Sequence, residues 1–177
     1  ALTLLALYPK VTDEEKRRYA DYIADYHTVI KNIARECPLN FSTHDLILSA
    51  EREKINDNFF DAIEYYEKAI STASESKFIQ QEALANELAA KFCMEKGKDK
   101  FAKLYITEAH DCYRRWGATG KVKNIERRYP NFFTLYTSDN QVSPSTFADH
   151  LDLRAVFKAS QAISGEIHLE KLLAAIM

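Results

Sequence analysis

The stretch DAIEYYEKAI at 61–70 and its counterpart FAKLYITEAH at 101–110 decide the fold of this chain. In the first, Ala62, Tyr66 and Ala69 follow one another at steps of four and three. In the second, Ala102, Ile106 and Ala109 repeat those steps 40 residues later. Twelve residues before each leading alanine stands another, Ala50 and Ala90. Steps of three and four place residues on one face of an α-helix. Small residues on that face let a neighbouring helix approach closely, with a large apolar residue filling the space between them. Two copies of the pattern indicate stacked antiparallel helical hairpins, a unit of the tetratricopeptide kind. The offset exceeds the ~34 residues of that unit, so an extended fourth helix or loop is expected. Leu46 takes the large position early in one hairpin, whereas Asn86 stands there in the other. A generic helical bundle with alanine at its crossings remains the competing interpretation.

Working outward, Thr12 followed by Asp13, Glu14 and Glu15 is a capping-box start. From it Tyr19, Tyr22, Ile23, Tyr26, Ile30, Ile33 and Ala34 are expected to form one helix face over more than five turns, ended by Pro38. A second helix is expected after a Ser42–Thr43 cap, running to about Ile55. Asn56-Asp57-Asn58 makes a turn, and a third helix carries Phe59 to Ala73. A fourth runs from Phe78 to Met94, with Gly97 as its left-handed stop. The fifth bears Phe101 to Trp116 and ends at Gly117; a shorter sixth precedes Pro130. Residues 131–150 lack a helical period and read as a linker. Beyond them Leu153, Val156, Ser160, Ile163 and Ile167 alternate at three and four, a short heptad-like seam. The fold class is therefore all-α: 1–38 an N-terminal helix leading into the array, 39–130 the repeats, 131–150 the linker, and 151–177 a terminal helical segment.

Composition agrees with this division. Glycine and proline number only 4 each in 177 residues, while 46% of residues are hydrophobic and 28% charged. A formal charge of −2 gives no electrostatic reason to expect nucleic acid or an anionic membrane surface as partner. The basic residues Arg114, Arg115, Lys121, Lys123, Arg127 and Arg128 lie near helix ends, where they complement the helix dipole. Cys37, Cys93 and Cys112 are odd in number and widely spaced, which points to a reducing, cytoplasmic setting without a disulfide framework. No run reaches the ~18 apolar residues of a membrane span. The apolar opening ALTLLALYP and apolar close LLAAIM lead us to expect a piece cut from a longer protein.

Chemistry-bearing motifs are sparse. His110-Asp111-Cys112 has the residue types of a nucleophilic site, but helix neighbours point about 100° apart and do not converge. His27, His44, His150 and His168 show no HExxH pairing, and no cysteine pair has zinc spacing. No cofactor is expected. Glu82 and Glu87 flank an apolar stripe, and Glu87 is placed to pair with Lys91 one turn on. The candidate partner-contact residues are Asn58, Tyr65, Asn86 and Lys123, polar or amphipathic groups expected on the inner side of the array.

Three segments carry a resemblance beyond a generic repeat: LANELAAKF at 84–92, LYITEAHDCYRRWGATGKVKNIERRYP at 104–130, and LDLRAVFKASQAISGEIHLEKLL at 151–173. PLNF at 38–41, with Glu51 after Ala50, adds to them. Together they resemble the region between the AAA-type ATPase and the GAF domain of large hybrid sensor histidine kinases, whose N-terminus is a serine/threonine-kinase-like domain. The resemblance implies a non-catalytic segment of a two-component signalling protein, its 151–177 piece being a signalling helix that enters a GAF domain. It implies neighbouring domains as protein contacts; the adaptor alternative implies a partner peptide, and the heptad-like steps lead us to expect a homodimer through 151–167. No phosphate loop, phosphoacceptor-histidine motif or nucleotide lid is present in the 177 residues. A stand-alone tetratricopeptide adaptor and, behind it, an enzyme of unknown type are the competing classes.

Overall fold

Four turns with one construction set the geometry of the chain. The computed structural model describes residues 1–133, of which Ala1–Phe132 form one compact unit. The described elements are α1 (Leu2–Leu7), a 3-10 turn (Tyr8–Lys10), α2 (Asp13–Glu36), α3 (Pro38–Ile55), α4 (Phe59–Glu75), α5 (Ile79–Glu95), α6 (Asp99–Trp116), α7 (Thr119–Arg128) and the single turn α8 (Pro130–Phe133). The remaining linker, the heptad-like seam and the 151–177 segment lie outside the described residues.

Helices α3 to α6 each end on a residue in the left-handed region: Asp57 (φ 62°), Lys77 (φ 59°), Gly97 (φ 65°) and Gly117 (φ 82°). After each, an amide reaches back five residues: Asn58 to Glu53, Phe78 to Ala73, Lys98 to Cys93 and Ala118 to Tyr113, at 2.8–3.0 Å. The left-handed residue itself bonds three back, as in Asp57 to Lys54 and Gly97 to Met94. This is the Schellman stop, which satisfies the last carbonyls of a helix and reverses the chain. It recurs every 20 residues, so α4, α5, α6 and α7 start at 59, 79, 99 and 119. The 40-residue offset is two of these beats. The expected extension of the fourth helix is thereby corrected: α5 has 17 residues, as α4 does, and α3 and α6 have 18.

Short turns fold consecutive helices back on one another, and α3 packs most extensively on α4 and α5 on α6. Ala50, Ala62, Ala69, Ala90, Ala102 and Ala109 are all 0% exposed, at the crossings where small side chains belong. Tyr66, Phe92, Ile63 and Ile106 fill the space between them. Phe92 stacks obliquely on Phe59 and Tyr66, with ring centroids 5.4 and 6.2 Å away.

One expectation fails at the front of the array, and another is refined. Helix α3 begins at Pro38, so Ser42 and Thr43 lie inside it and cap nothing. Proline suits the first helical position, where its missing N–H would have had no partner. In α2 the capping box is present, Thr12 and Glu15 exchanging backbone–side-chain bonds of 3.0 and 3.4 Å. Its seven apolar positions share one helix face, of which only part is buried. Ile23 and Ala34 are buried together with His27, whereas Tyr22, Tyr26 and Ile33 are exposed. At 100° per residue those two sets lie about 100° apart, too wide an arc for one neighbouring helix to cover. Helix α3 covers the first set, and Leu5 of α1 joins Ile23 and Leu48 in a small cluster there.

Candidate functional site

The polar groups inside the array are more telling than its surface. Three glutamates, Glu51, Glu67 and Glu87, are buried at 7%, 8% and 4% exposure, and each accepts a hydrogen bond from a tyrosine hydroxyl. Tyr66 of α4 donates to Glu51 of α3 at 2.5 Å, Tyr105 of α6 to Glu67 of α4 at 2.6 Å, and Tyr113 of α6 to Glu87 of α5 at 2.7 Å. The bonds connect α3 to α4, α4 to α6, and α6 to α5. A carboxylate taken out of water is costly unless its oxygens are satisfied, so each pair constrains the relative placement of two helices. Burial and then the Glu51 charge raise the Tyr66 phenol well above its ordinary range, so it stays a donor.

Glu87 is the best supplied. Its Oε1 accepts from Lys91 at 2.7 Å, and its Oε2 from Tyr113 and from Lys121 of α7 at 2.7 and 2.8 Å. Lys121 also lies 5.2 Å above the Tyr113 ring. Burial alone would raise the Glu87 carboxyl, but bonds from Lys121, Lys91 and Tyr113 outweigh it and bring it down to about 2. The turn Gly117–Thr119 returns α7 so that Lys121 reaches back, and the glutamate thus ties α5, α6 and α7 to one point. The Glu87–Lys91 pair anticipated from the i,i+4 spacing is part of this cluster.

Histidine and cysteine do different work. His27 is buried beneath α3: Asp45 lies 2.9 Å and Ser49 3.3 Å from Nε2, and Arg52 lies 3.4 Å from Nδ1. The residue types match a Ser-His-Asp set, but the arrangement differs. Arginine only donates, so Nδ1 accepts and the ring proton is assigned to Nε2, pointing at Asp45 and Ser49. No imidazole lone pair is left to take the Ser49 proton. His110 pairs with Glu126 at 2.9 Å and approaches Asp111 at 3.7 Å. Cys112 is buried and accepts from Arg115 at 3.2 Å. Burial, only partly offset by Arg115, pushes its thiol to about 11, and burial pushes Cys93 to about 12, away from a reactive thiolate. Among the described residues no group of His, Cys, Asp and Glu is arranged to hold a metal ion, and no helix is long and apolar enough to cross a membrane.

The four candidate contact residues do not converge on one site. Asn58 is exposed at the start of α4 and donates to Glu53 at 2.8 Å. Tyr65, half-buried on the same side of α4 two turns on, has the Lys68 ammonium 5.7 Å above its ring. Lys123 is exposed on α7. Asn86 is corrected: it is 1% exposed inside the array, its amide donating to the Glu82 carbonyl at 3.0 Å. The large position of its hairpin is occupied by a polar residue packed within the array, so it offers nothing to a partner at the surface. The tyrosine–glutamate bonds escaped the reading of the sequence, although a signal existed. Glu67 falls between Ile63 and Ile70, and Glu87 between Ala83 and Ala90, at the same four-and-three steps as the apolar stripe.

Comparison with known proteins gives one partial relative. "Hybrid signal transduction histidine kinase G" of Dictyostelium discoideum is 45% identical over 65 residues, which cover 37% of this chain and 2% of that protein. No family model matches the chain, and no solved structure matches it. The similarity ties part of the chain to a signal-transduction kinase.

Proposed function

We propose that the chain is a non-catalytic scaffold within a hybrid sensor histidine kinase, a tetratricopeptide-like array relaying between an ATPase and the sensor-kinase half. The observation that carries this reading is the line of buried tyrosine–glutamate bonds from α3 through α4 and α6 to α5 and α7. In a stack each hairpin touches only its neighbours, so displacement passes through those contacts. Directional bonds to buried carboxylates add fixed points to the close packing, so displacement at one end of the array is passed to the other. Asn58, Tyr65 and Lys123 are exposed or half-buried points at which a neighbouring domain or partner peptide is contacted, in a cytoplasmic setting. The partial kinase relative supports the signalling context. The 151–177 segment, by the heptad-like steps in its sequence, is the part we assign to output.

Hydrogen exchange on the whole chain tests the relay. Tyr105→Phe removes the bond between α4 and α6; protection is expected to fall in α3, which packs on α4. Exchange that rises only in α6 and its immediate neighbours defeats the proposal. The full-length reading frame provides a second test, since ATPase and kinase motifs are expected on either side of this segment.

A further inference from the structure

The face of α2 that α3 leaves uncovered has a pattern of its own. Tyr22, Tyr26, Val29 and Ile33 are 49%, 52%, 54% and 36% exposed, and they follow one another at steps of four, three and four. That is a heptad seam about 17 Å long, three turns of helix, presented to solvent. Four large apolar side chains aligned on one stripe differ from the scattered exposed apolar residues every soluble protein has. Elsewhere in the array the exposed large apolar residues Leu39, Phe60 and Trp116 stand singly on their helices.

Charge decides what covers the stripe. On the side of α2 away from α3, helical geometry at 100° per residue sets Arg18, Asp25, Asn32 and Glu36 beside the seam in that order from N- to C-terminus. All four are exposed. We infer that this stripe pairs with the same stripe of a second copy, the two α2 helices antiparallel about a two-fold axis near His27 and Thr28. In that arrangement the polar flank of one helix meets the polar flank of the other, with residue numbers across the axis summing to about 55. Arg18 then faces Glu36 of the second copy at both ends, and Asp25 lies nearest Asn32, so no like charges oppose. Tyr22 packs against Ile33 and Tyr26 against Val29, aromatic on β-branched in every layer. A parallel pair is disfavoured, because it would bring the polar flank of one helix against the flank of the other that α3 already covers. A self-complementary patch of this kind closes on itself as a dimer and does not propagate. A seam of three turns falls short of the roughly 1,200 Å² of a standard interface, so the association is weak and depends on concentration.

Sedimentation equilibrium of the whole chain over a range of concentrations reads this directly, with circular dichroism confirming that each variant stays helical. The chain is expected to move from monomer to dimer, and Tyr26→Glu to weaken dimerisation at least about tenfold. Phe60→Glu, an equally exposed site outside the seam, leaves it unchanged. Arg18→Glu is expected to weaken association about fivefold, and the double variant Arg18→Glu with Glu36→Arg to restore it to within about twofold. Recovery in the double variant is specific to the antiparallel register. A chain that remains monomeric at the highest concentration overturns the inference. So does a dimer indifferent to Tyr26→Glu, including one held by 151–167, or a double variant that associates no better than Arg18→Glu.

Discussion

Helix α2 and the α3–α6 array are built from the same helical periodicity, yet they use it differently. In the array, alanines at 0% exposure line the crossings, and every buried carboxylate has a tyrosine hydroxyl on it. In α2, 24 residues long, only Ile23, His27 and Ala34 are buried, and an apolar stripe remains in solvent. Helix length and apolar content therefore say little about where stability resides. It resides where small residues let two faces approach and larger ones fill the remaining space. The contrast is quantitative, and substitutions on the two sides should differ by an order of magnitude.

The largest effect is expected at Phe92. Its ring is 0% exposed, packs against Phe59 and Tyr66, and carries Lys54 and Lys96 at 5.9 and 5.8 Å. Phe92→Ala should destabilise the unit by about 3–5 kcal/mol, through lost burial and the cavity left behind, as measured by urea unfolding. A loss below about 1 kcal/mol would mean that the array collapses around the gap and is looser than its packing implies.

Next comes the Glu87 cluster. Glu87→Gln keeps the shape but removes the charge that Lys91, Lys121 and Tyr113 share, and should cost about 1–3 kcal/mol near pH 7. The direction of the pKa shift sets the pH dependence. An acid whose folded pKa is about 2 and whose ordinary value is 4.5 stabilises the fold above about 4.5, and that contribution is lost as pH falls toward 2. Unfolding measured from pH 7 to pH 2 should therefore show a steeper acid loss in the native chain than in Glu87→Gln. Identical slopes would place the lysines in solvent, away from the carboxylate.

These two sites also show what a sequence yields and what it withholds. The steps from Ala62 to Ala69 and from Ala102 to Ala109 were enough to identify an all-α chain of hairpins, because small residues there recur in two copies with a large apolar residue between them. The 20-residue beat was hidden, because glycine marks only two of its four left-handed positions; Asp57 and Lys77 hold the others. The Glu51, Glu67 and Glu87 bonds were hidden for another reason. A glutamate at a stripe position resembles an edge residue until the tyrosine 15 to 38 residues away is known to reach it. In α2 the periodicity was legible, but which part of a wide apolar arc is covered depends on the neighbour. Asn86 misled because a polar residue in the sequence looks available, and burial is decided by the helices that close over it.

The turns give a smaller effect, near 1 kcal/mol. Gly97 and Lys77 hold the same left-handed backbone, and no atom lies within 4 Å of where a Gly97 Cβ would stand. Gly97→Ala is therefore a pure test of backbone preference and should cost about 1 kcal/mol. Lys77→Gly should run the other way, gaining up to about 1 kcal/mol, less whatever freedom glycine adds to the unfolded chain. Thermal midpoints of the two variants moving in the same direction would show that the two turns are not equivalent members of one beat.

The smallest effect is expected at Tyr22, and it bears most directly on the contrast between the two regions. Tyr22 is a large aromatic on a helical apolar stripe, which by sequence alone ranks with Tyr66 as a core residue. At 49% exposure, against 0% for Tyr66, it has about half its surface in water already. Removing it from a dilute monomer should change stability by less than about 0.5 kcal/mol, the usual range for surface substitutions. Serine is the informative replacement, since it cannot pack and any loss then reports contacts made by the ring. Measured by urea unfolding at concentrations too low for association, Tyr22→Ser should superimpose on the parent chain. At higher concentration the two curves should separate, because only the parent gains stability from a bound second copy. A loss of about 2 kcal/mol or more at low concentration would put Tyr22 inside the fold of the single chain and erase the difference between α2 and the array.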